Sequence, residues 1–285
     1  MGAILNAKAL MHINSFINDY EIAANYHFDK IQRRTYLGQN IGHCRFCKES
    51  IPNVSFNMDA HTFPQFIGNK YLLSYYECDI CNERFSRTLE NEMANFMKLL
   101  HTTYGVKGEN KIPTYKNYGI RFESSGTKLN IDNVDDSLLT GNLNDKRFSL
   151  DLITDKFIPI AVYKCLTKMA LSIMPETEVS FFTNTFNWIK EDNHDSSEFK
   201  LNNLWIIFSQ VLNEHLFPNI SAILLKRKGE ASISLPTYVF RLTYSKFSFQ
   251  IYLPLCELDS KKIFSIQDLK YFPHLIDLTT GLRLI

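Results

Sequence analysis

The sequence predicts an α+β protein in which a metal-stapled N-terminal region precedes a mixed α/β C-terminal region of unrecognised fold. Three observations carry this. Two Cys-x-x-Cys pairs, Cys44/Cys47 and Cys78/Cys81, stand 30 residues apart in a stretch rich in turn residues. Directly after the second pair, Phe85, Leu89, Met93, Phe96 and Leu100 recur at the spacing of an amphipathic helix. Near the C-terminus, residues 238–244 and 247–253 are runs of β-branched and aromatic side chains.

Along the chain, residues 1–35 carry helix-compatible spacing at Leu5, Leu10, Ile13, Phe16 and Ile17 and read as a helical lead-in. Residues 36–105 hold both cysteine pairs, Asp59-Ala60-His61, Pro64 and a Gly68-Asn69 turn signal, and form the chemically dense domain. The polar stretch 103–115, punctuated by Gly and Pro, reads as the linker to a second domain over 106–285. There, strand-like runs at 119–131 and 147–153 precede a helix over 160–174, where Val162, Leu166, Met169 and Ile173 share one face and Pro175 is a stop signal. A hairpin is expected around Ser245-Lys246, with the turn type open. No repeat or low-complexity segment interrupts the chain.

At 285 residues, 45% hydrophobic and 21% charged, the chain is long enough for real cores and is not a disordered tail. Lys plus Arg number 31 and Asp plus Glu 30, a formal charge of +1, so any polyanion must be met by a local arrangement of cations. The first residues carry no basic segment followed by an apolar core and a cleavage site, so a cytoplasmic protein is expected. Apolar runs such as 157–163 fall far short of the roughly 20 residues that span a bilayer.

Four of the six cysteines form the two pairs, a pattern that favours a metal over disulfides in such a chain. Four soft thiolates at that spacing can close tetrahedrally on one structural zinc ion, and a closed site of this kind holds structure without catalysing anything. Cys165 and Cys256 stand alone in apolar runs and are expected to be buried thiols.

Within the loop that zinc would close lies Met58-Asp59-Ala60-His61-Thr62-Phe63-Pro64-Gln65-Phe66-Ile67-Gly68, and after the second pair comes Asn82-Glu83-Arg84-Phe85-Ser86-Arg87-Thr88-Leu89-Glu90. Here the sequence resembles the HNH endonuclease family, whose treble-clef, ββα-metal motif can be built around two cysteine knuckles. In one branch a His-x-x-Pro segment, an aromatic or aliphatic residue and a Gly precede Cys-x-x-Cys-Asn and a helix bearing a carboxylate. The resemblance covers about 60 of the 285 residues.

The resemblance implies a role for each matching position. His61 matches the general base that takes a proton from water attacking the scissile phosphate, a task suited to neutral imidazole; otherwise it is a structural histidine or a further zinc ligand. Asn82 matches the asparagine that ties the metal loop together, a position an ordinary helix N-cap would also fill. Glu90 falls where the family often carries a ligand to a catalytic Mg²⁺ or Mn²⁺; the alternative is a solvated helix carboxylate. The sequence departs from the pattern at Ala60, where many members supply a ligand, and Asp59 is the substitute only if the strand end bends.

Arg45, Lys48, Lys70, Arg84 and Arg87 cluster in sequence around this segment as candidate contacts to nucleic-acid phosphates, although Glu77, Asp79 and Glu83 alternate with them. The resemblance thus implies a metal-dependent endonuclease acting on DNA ahead of RNA. Its architecture suits a restriction or anti-phage defence effector recruited by a regulatory protein partner or as a homodimer. The competing reading is a non-catalytic zinc-binding recognition module; a third is a metal-dependent enzyme on another phosphoester. The alternating aromatics Phe240, Tyr244, Phe247, Phe249 and Tyr252 are expected in a core and not as a base-stacking platform.

Overall fold

The computed structural model describes residues 14, 16–28, 33–142, 147–150, 152, 154–194, 199, 201, 203–210, 217–259, 262–268 and 282–284. Its elements are of the α+β class. The N-terminal part contains strands β1 (Tyr20–Phe28), β2 (Thr35–Leu37) and β3 (Leu72–Ser74), then helix α1 (Asp79–Phe85), which runs through a π turn (Ser86–Glu90) into α2 (Asn91–Thr103). Next come β4 (Tyr115–Asn117), β5 (Ile120–Ser124), β6 (Leu129–Asp132), β7 (Leu139–Asn142) and β8 (Arg147–Leu150). The rest comprises α3 (Pro159–Ile173), a 3₁₀ segment (Glu176–Phe182), α4 (Thr183–Lys190), β9 (Ile207–Gln210), β10 (Phe217–Arg227), β11 (Tyr238–Ser245), β12 (Phe247–Tyr252) and β13 (Leu282–Leu284).

The main sheet has the order β1-β10-β11-β12-β9-β13 and is antiparallel at every pairing. Its hairpin β11–β12 closes through Ser245-Lys246 with Tyr244 opposite Phe247, as the alternation predicted. Ser245 has φ 52° and Lys246 is not in the positive region, the sign pattern of a type II′ turn. All six aromatics of this hairpin, the five expected in the core and Tyr238, are buried, so none is offered to a nucleobase.

Residues 20 to 28 differ from the expected helical lead-in. Leu5, Leu10 and Ile13 lie outside the described residues; among the described ones, Asn14 and residues 16–19 are helical. From Tyr20 the chain becomes β1, an edge strand on β10. Phe16 stacks on Tyr20 at 4.7 Å, and both are buried with Leu225, Leu235 and Val239, which packs the end of the helical turn against the sheet.

The core also differs from the division placed near residue 105. One continuous apolar cluster runs from Cys44, Phe46 and Phe63 through Phe85, Leu89 and Met93 to Leu166, Met169, Phe240 and Phe249. The connection is α3, in which every residue from 161 to 173 is buried. It packs on the π turn and α2 and also on β11 and β12. A helix buried on every face must sit at the centre of its fold, and Cys165 on it is buried as expected, like Cys256.

Candidate active site

The two cysteine pairs converge. One Sγ from each of Cys44, Cys47, Cys78 and Cys81 lies within 4.8 Å of all the others. A tetrahedron of thiolates about 2.3 Å from zinc has edges of about 3.8 Å, and Cys47 and Cys78 stand 3.7 Å apart. The first knuckle is shaped by backbone bonds from Lys48 N to Cys44 O (2.9 Å) and Cys44 N to Glu49 O (2.8 Å), with Lys48 at φ 67°. Burial pushes the Cys78 thiol up to about 12, so a second thiolate beside Cys44 needs a cation. The donor set and spacing therefore fit a structural metal.

His61 bridges to Leu73 in β3, which pairs in parallel with β2; the segment, β3 and α1 together make a ββα unit. Thr62 N donates to Leu72 O at 3.2 Å and Ser74 N to Ala60 O at 2.9 Å, fixing the register. Ala60 is buried, Asp59 exposed and His61 half-buried, as alternation along an extended segment requires. Position 60 points into the core, where a small residue packs and no ligand could reach outward.

The imidazole Nε2 lies 2.7 Å from the Gln65 amide nitrogen, while Nδ1 is buried with no partner in the protein. Burial, then the ammonium of Lys168, hold His61 below the ordinary histidine range, so it is neutral at pH 7. Asn82 is half-buried in the first turn of α1, its N–H bonded to Cys78 O at 2.9 Å. The N-cap of that helix is Cys78, so the capping alternative for Asn82 does not hold.

The two carboxylates expected near His61 are both occupied. Asp59 accepts from Arg34 Nη1 and Tyr36 Oη, each at 2.8 Å. Glu90 closes the π turn, whose i to i+5 bond runs from Asn91 N to Ser86 O. Its Oε1 lies 3.4 Å from Lys168 Nζ, which also donates to His61 O at 3.1 Å and pairs with Glu77 Oε2 at 2.9 Å. Lys168 comes from α3, across 107 residues of sequence from His61. Burial pushes Glu77 up to about 7, whereas the two carboxylates together outweigh burial and keep Lys168 cationic. Among the described residues, the four cysteines are the one grouping of three or more metal-ligating side chains. Asp59, Glu90 and His61 thus do not present a joint donor set for a catalytic cation.

The five basic residues separate. Arg45 is only 3% exposed: its Nη1 donates to Leu171 O (2.8 Å) and Met174 O (2.9 Å), its Nη2 meets Glu176, and it stacks on Tyr76. The expectation that Arg45 meets a phosphate does not survive this placement, because its guanidinium fastens the first knuckle to the end of α3. Lys48 is exposed, with its ammonium 4.5 Å from the Phe186 ring centroid. Lys70 is exposed and donates to Glu109 O; Arg84 lies 3.7 Å from Asp192; Arg87 is exposed.

Sequence reasoning missed Lys168, Glu77, Gln65 and Asp79. Asp79 accepts from Ser55 Oγ (2.6 Å), Asn57 N (3.0 Å) and Met58 N (2.9 Å), pinning the chain that leads to His61. Burial acts to raise its carboxyl, but these bonds outweigh it and hold it below the usual range. Its signal was an acid in the first turn of a helix. For Lys168 the signal was two lysines, Lys164 and Lys168, four apart inside an otherwise apolar helix.

No curated protein and no solved structure matches the chain. Residues 44–97, from the first ligand cysteine to the middle of α2, match the family model described as HNH endonuclease. Family match, cysteine cluster and ββα unit coincide on one stretch: the N-terminal region of this protein contains an HNH endonuclease-family domain with a cluster of four cysteines that could hold a metal.

Proposed function

We propose that the protein is a nuclease that hydrolyses nucleic-acid phosphodiesters, DNA ahead of RNA, with His61 as general base. The observation that carries this is the neutral imidazole at the HNH position with Nδ1 buried and unpartnered. A buried polar atom left without a partner costs about 1–3 kcal/mol, and such atoms persist where a ligand or bound water completes them. In the tautomer with hydrogen on Nε2, which requires the Gln65 amide to be turned so that its oxygen faces that N–H, Nδ1 keeps the lone pair that takes the proton of the attacking water. Asp79 pins the chain that leads to His61, and Asn82 is the residue that the family resemblance assigns to tying the metal loop. Lys70, Arg84, Arg87 and Lys48 are the proposed phosphate contacts, positioning the strand without reading its bases.

Zinc is the proposed occupant of the cysteine cluster. Mg²⁺ or Mn²⁺ dependence is proposed from the family alone, since Asp59 and Glu90 are ion-paired in this structure, and no step is derived through that cation. Net charge near zero gives little non-specific pull on DNA, which suits recruitment by a partner or self-association. A cytoplasmic restriction or anti-phage role rests on architecture.

The pairing of Glu90 with Lys168 favours a second reading, a non-catalytic zinc-binding recognition module. Purified protein incubated with plasmid DNA, single-stranded DNA and total RNA, with Mg²⁺, Mn²⁺ or EDTA, separates the two. Divalent-dependent cutting by the wild type, abolished in a zinc-replete, folded His61→Ala variant, supports the nuclease. Nucleic-acid binding without cutting, unchanged by His61→Ala, supports the recognition module.

A further inference from the structure

We propose that Lys168 takes the place of a divalent cation at Glu90, so that this carboxylate is the counter-ion of a lysine delivered by the C-terminal region and not a metal ligand. The inference rests on reading the His61 segment and the helix after it as the nuclease site.

Three oxygens converge on the Lys168 ammonium: Glu77 Oε2 at 2.9 Å, the His61 carbonyl at 3.1 Å and Glu90 Oε1 at 3.4 Å. Two carboxylates and a backbone carbonyl are the donor set that hard divalent cations take. Here the ammonium donates to the His61 carbonyl and to Glu90 Oε1 and forms an ion pair with Glu77. Lys168 is 1% exposed and Glu77 2%, so the centre of the cluster is closed to solvent, while Glu90 forms its outer wall. A cation at Glu90 would have to share this oxygen cage with a positive charge in contact with it.

The ammonium is not a plug that withdraws. It stands on α3, whose residues 161–173 are all buried between the HNH-family helix and the main sheet, so its removal would open the core. Lys168 therefore acts as a positioning residue. It holds the main chain of His61 and the end of the π turn at one point, and it makes the C-terminal region part of the site instead of an appended module.

The test is Mn²⁺ binding to the zinc-loaded full chain, read by electron paramagnetic resonance without nucleic acid, so that it is independent of whether the protein cuts. Wild type and Glu90→Gln are expected to take up Mn²⁺ alike. Lys168→Ala, which frees the oxygens, is expected to gain a site about tenfold tighter or more, lost again in Lys168→Ala/Glu90→Gln. Weakening of Mn²⁺ binding by Glu90→Gln in the Lys168-containing protein would overturn the proposal, as would a folded Lys168→Ala protein that gains no site. Should Lys168→Ala not fold with Glu77 left unpaired, Lys168→Ala/Glu77→Gln replaces it, and the Glu90→Gln comparison stands by itself. Failure to cut any substrate would count against the nuclease reading and leave these Mn²⁺ results unaffected.

Discussion

Replacing Arg45 with Met separates a structural arginine from a phosphate-binding one. Methionine keeps the apolar stem in place but removes the two bonds to Leu171 O and Met174 O, at 2.8 and 2.9 Å. Hydrogen bonds from a charged group contribute about 1.5–3 kcal/mol each, and relief of the buried charge offsets part of that. The Glu176 side chain is 64% exposed, so solvent screens this pair and it adds under about 1 kcal/mol. A net loss of about 3 kcal/mol follows, which at an m-value of about 3 kcal/mol/M lowers the urea midpoint of the zinc-loaded protein by about 1 M. In parallel, DNA affinity of the folded variant is measured against salt by fluorescence anisotropy. A phosphate contact would reduce the log–log slope by about 0.9; for Arg45→Met no change is expected, whereas Arg87→Ala should show the reduction without loss of stability. An unchanged urea midpoint together with a shallower salt slope for Arg45→Met would refute the structural role.

Two further outcomes follow from the site and the core. Purified protein should hold about one zinc per chain, and Cys47→Ser should lose it and expose residues 44–81 to limited proteolysis; a protease-resistant, zinc-free variant would show that the thiols do not staple the loop. His101 is buried against Phe66, Tyr244 and Phe247, and burial pushes it down to about 3. A depressed histidine contributes stability that is present above its unfolded value of about 6.5 and lost as pH falls toward 3, amounting to about 2 kcal/mol by pH 5. The urea midpoint of His101→Phe should therefore fall less steeply with acid than that of the wild type, and equal slopes would rule out His101 as the source.

The HNH-family stretch was legible because its chemistry is local in sequence. Two x2 cysteine spacings, a His-x-x-Pro segment and a helical stripe each fix a short backbone path, and the chain folds them into one ββα unit. The same holds for α3 and the β11–β12 hairpin, where apolar period alone distinguishes helix from strand. Residues 20–28 form a strand instead of a helix because a few apolar residues at helical spacing weigh less than an edge strand's pairing with β10. Arg45 was misread because nothing in a sequence tells a cation that faces solvent from one that caps the end of a distant helix.

The sequence by itself determined the four-cysteine cluster, the α+β class, the histidine at the HNH position and the helix that follows it. Tertiary structure alone decided which charges meet. Glu90 and His61 are joined by Lys168, 78 and 107 residues away, and Arg45 by carbonyls more than 120 residues away. Hydrophobic periodicity places a helix in the core but carries no information about the partner of a lysine within it; that is fixed only when burial leaves the ammonium no water and the nearest oxygens belong to another part of the chain.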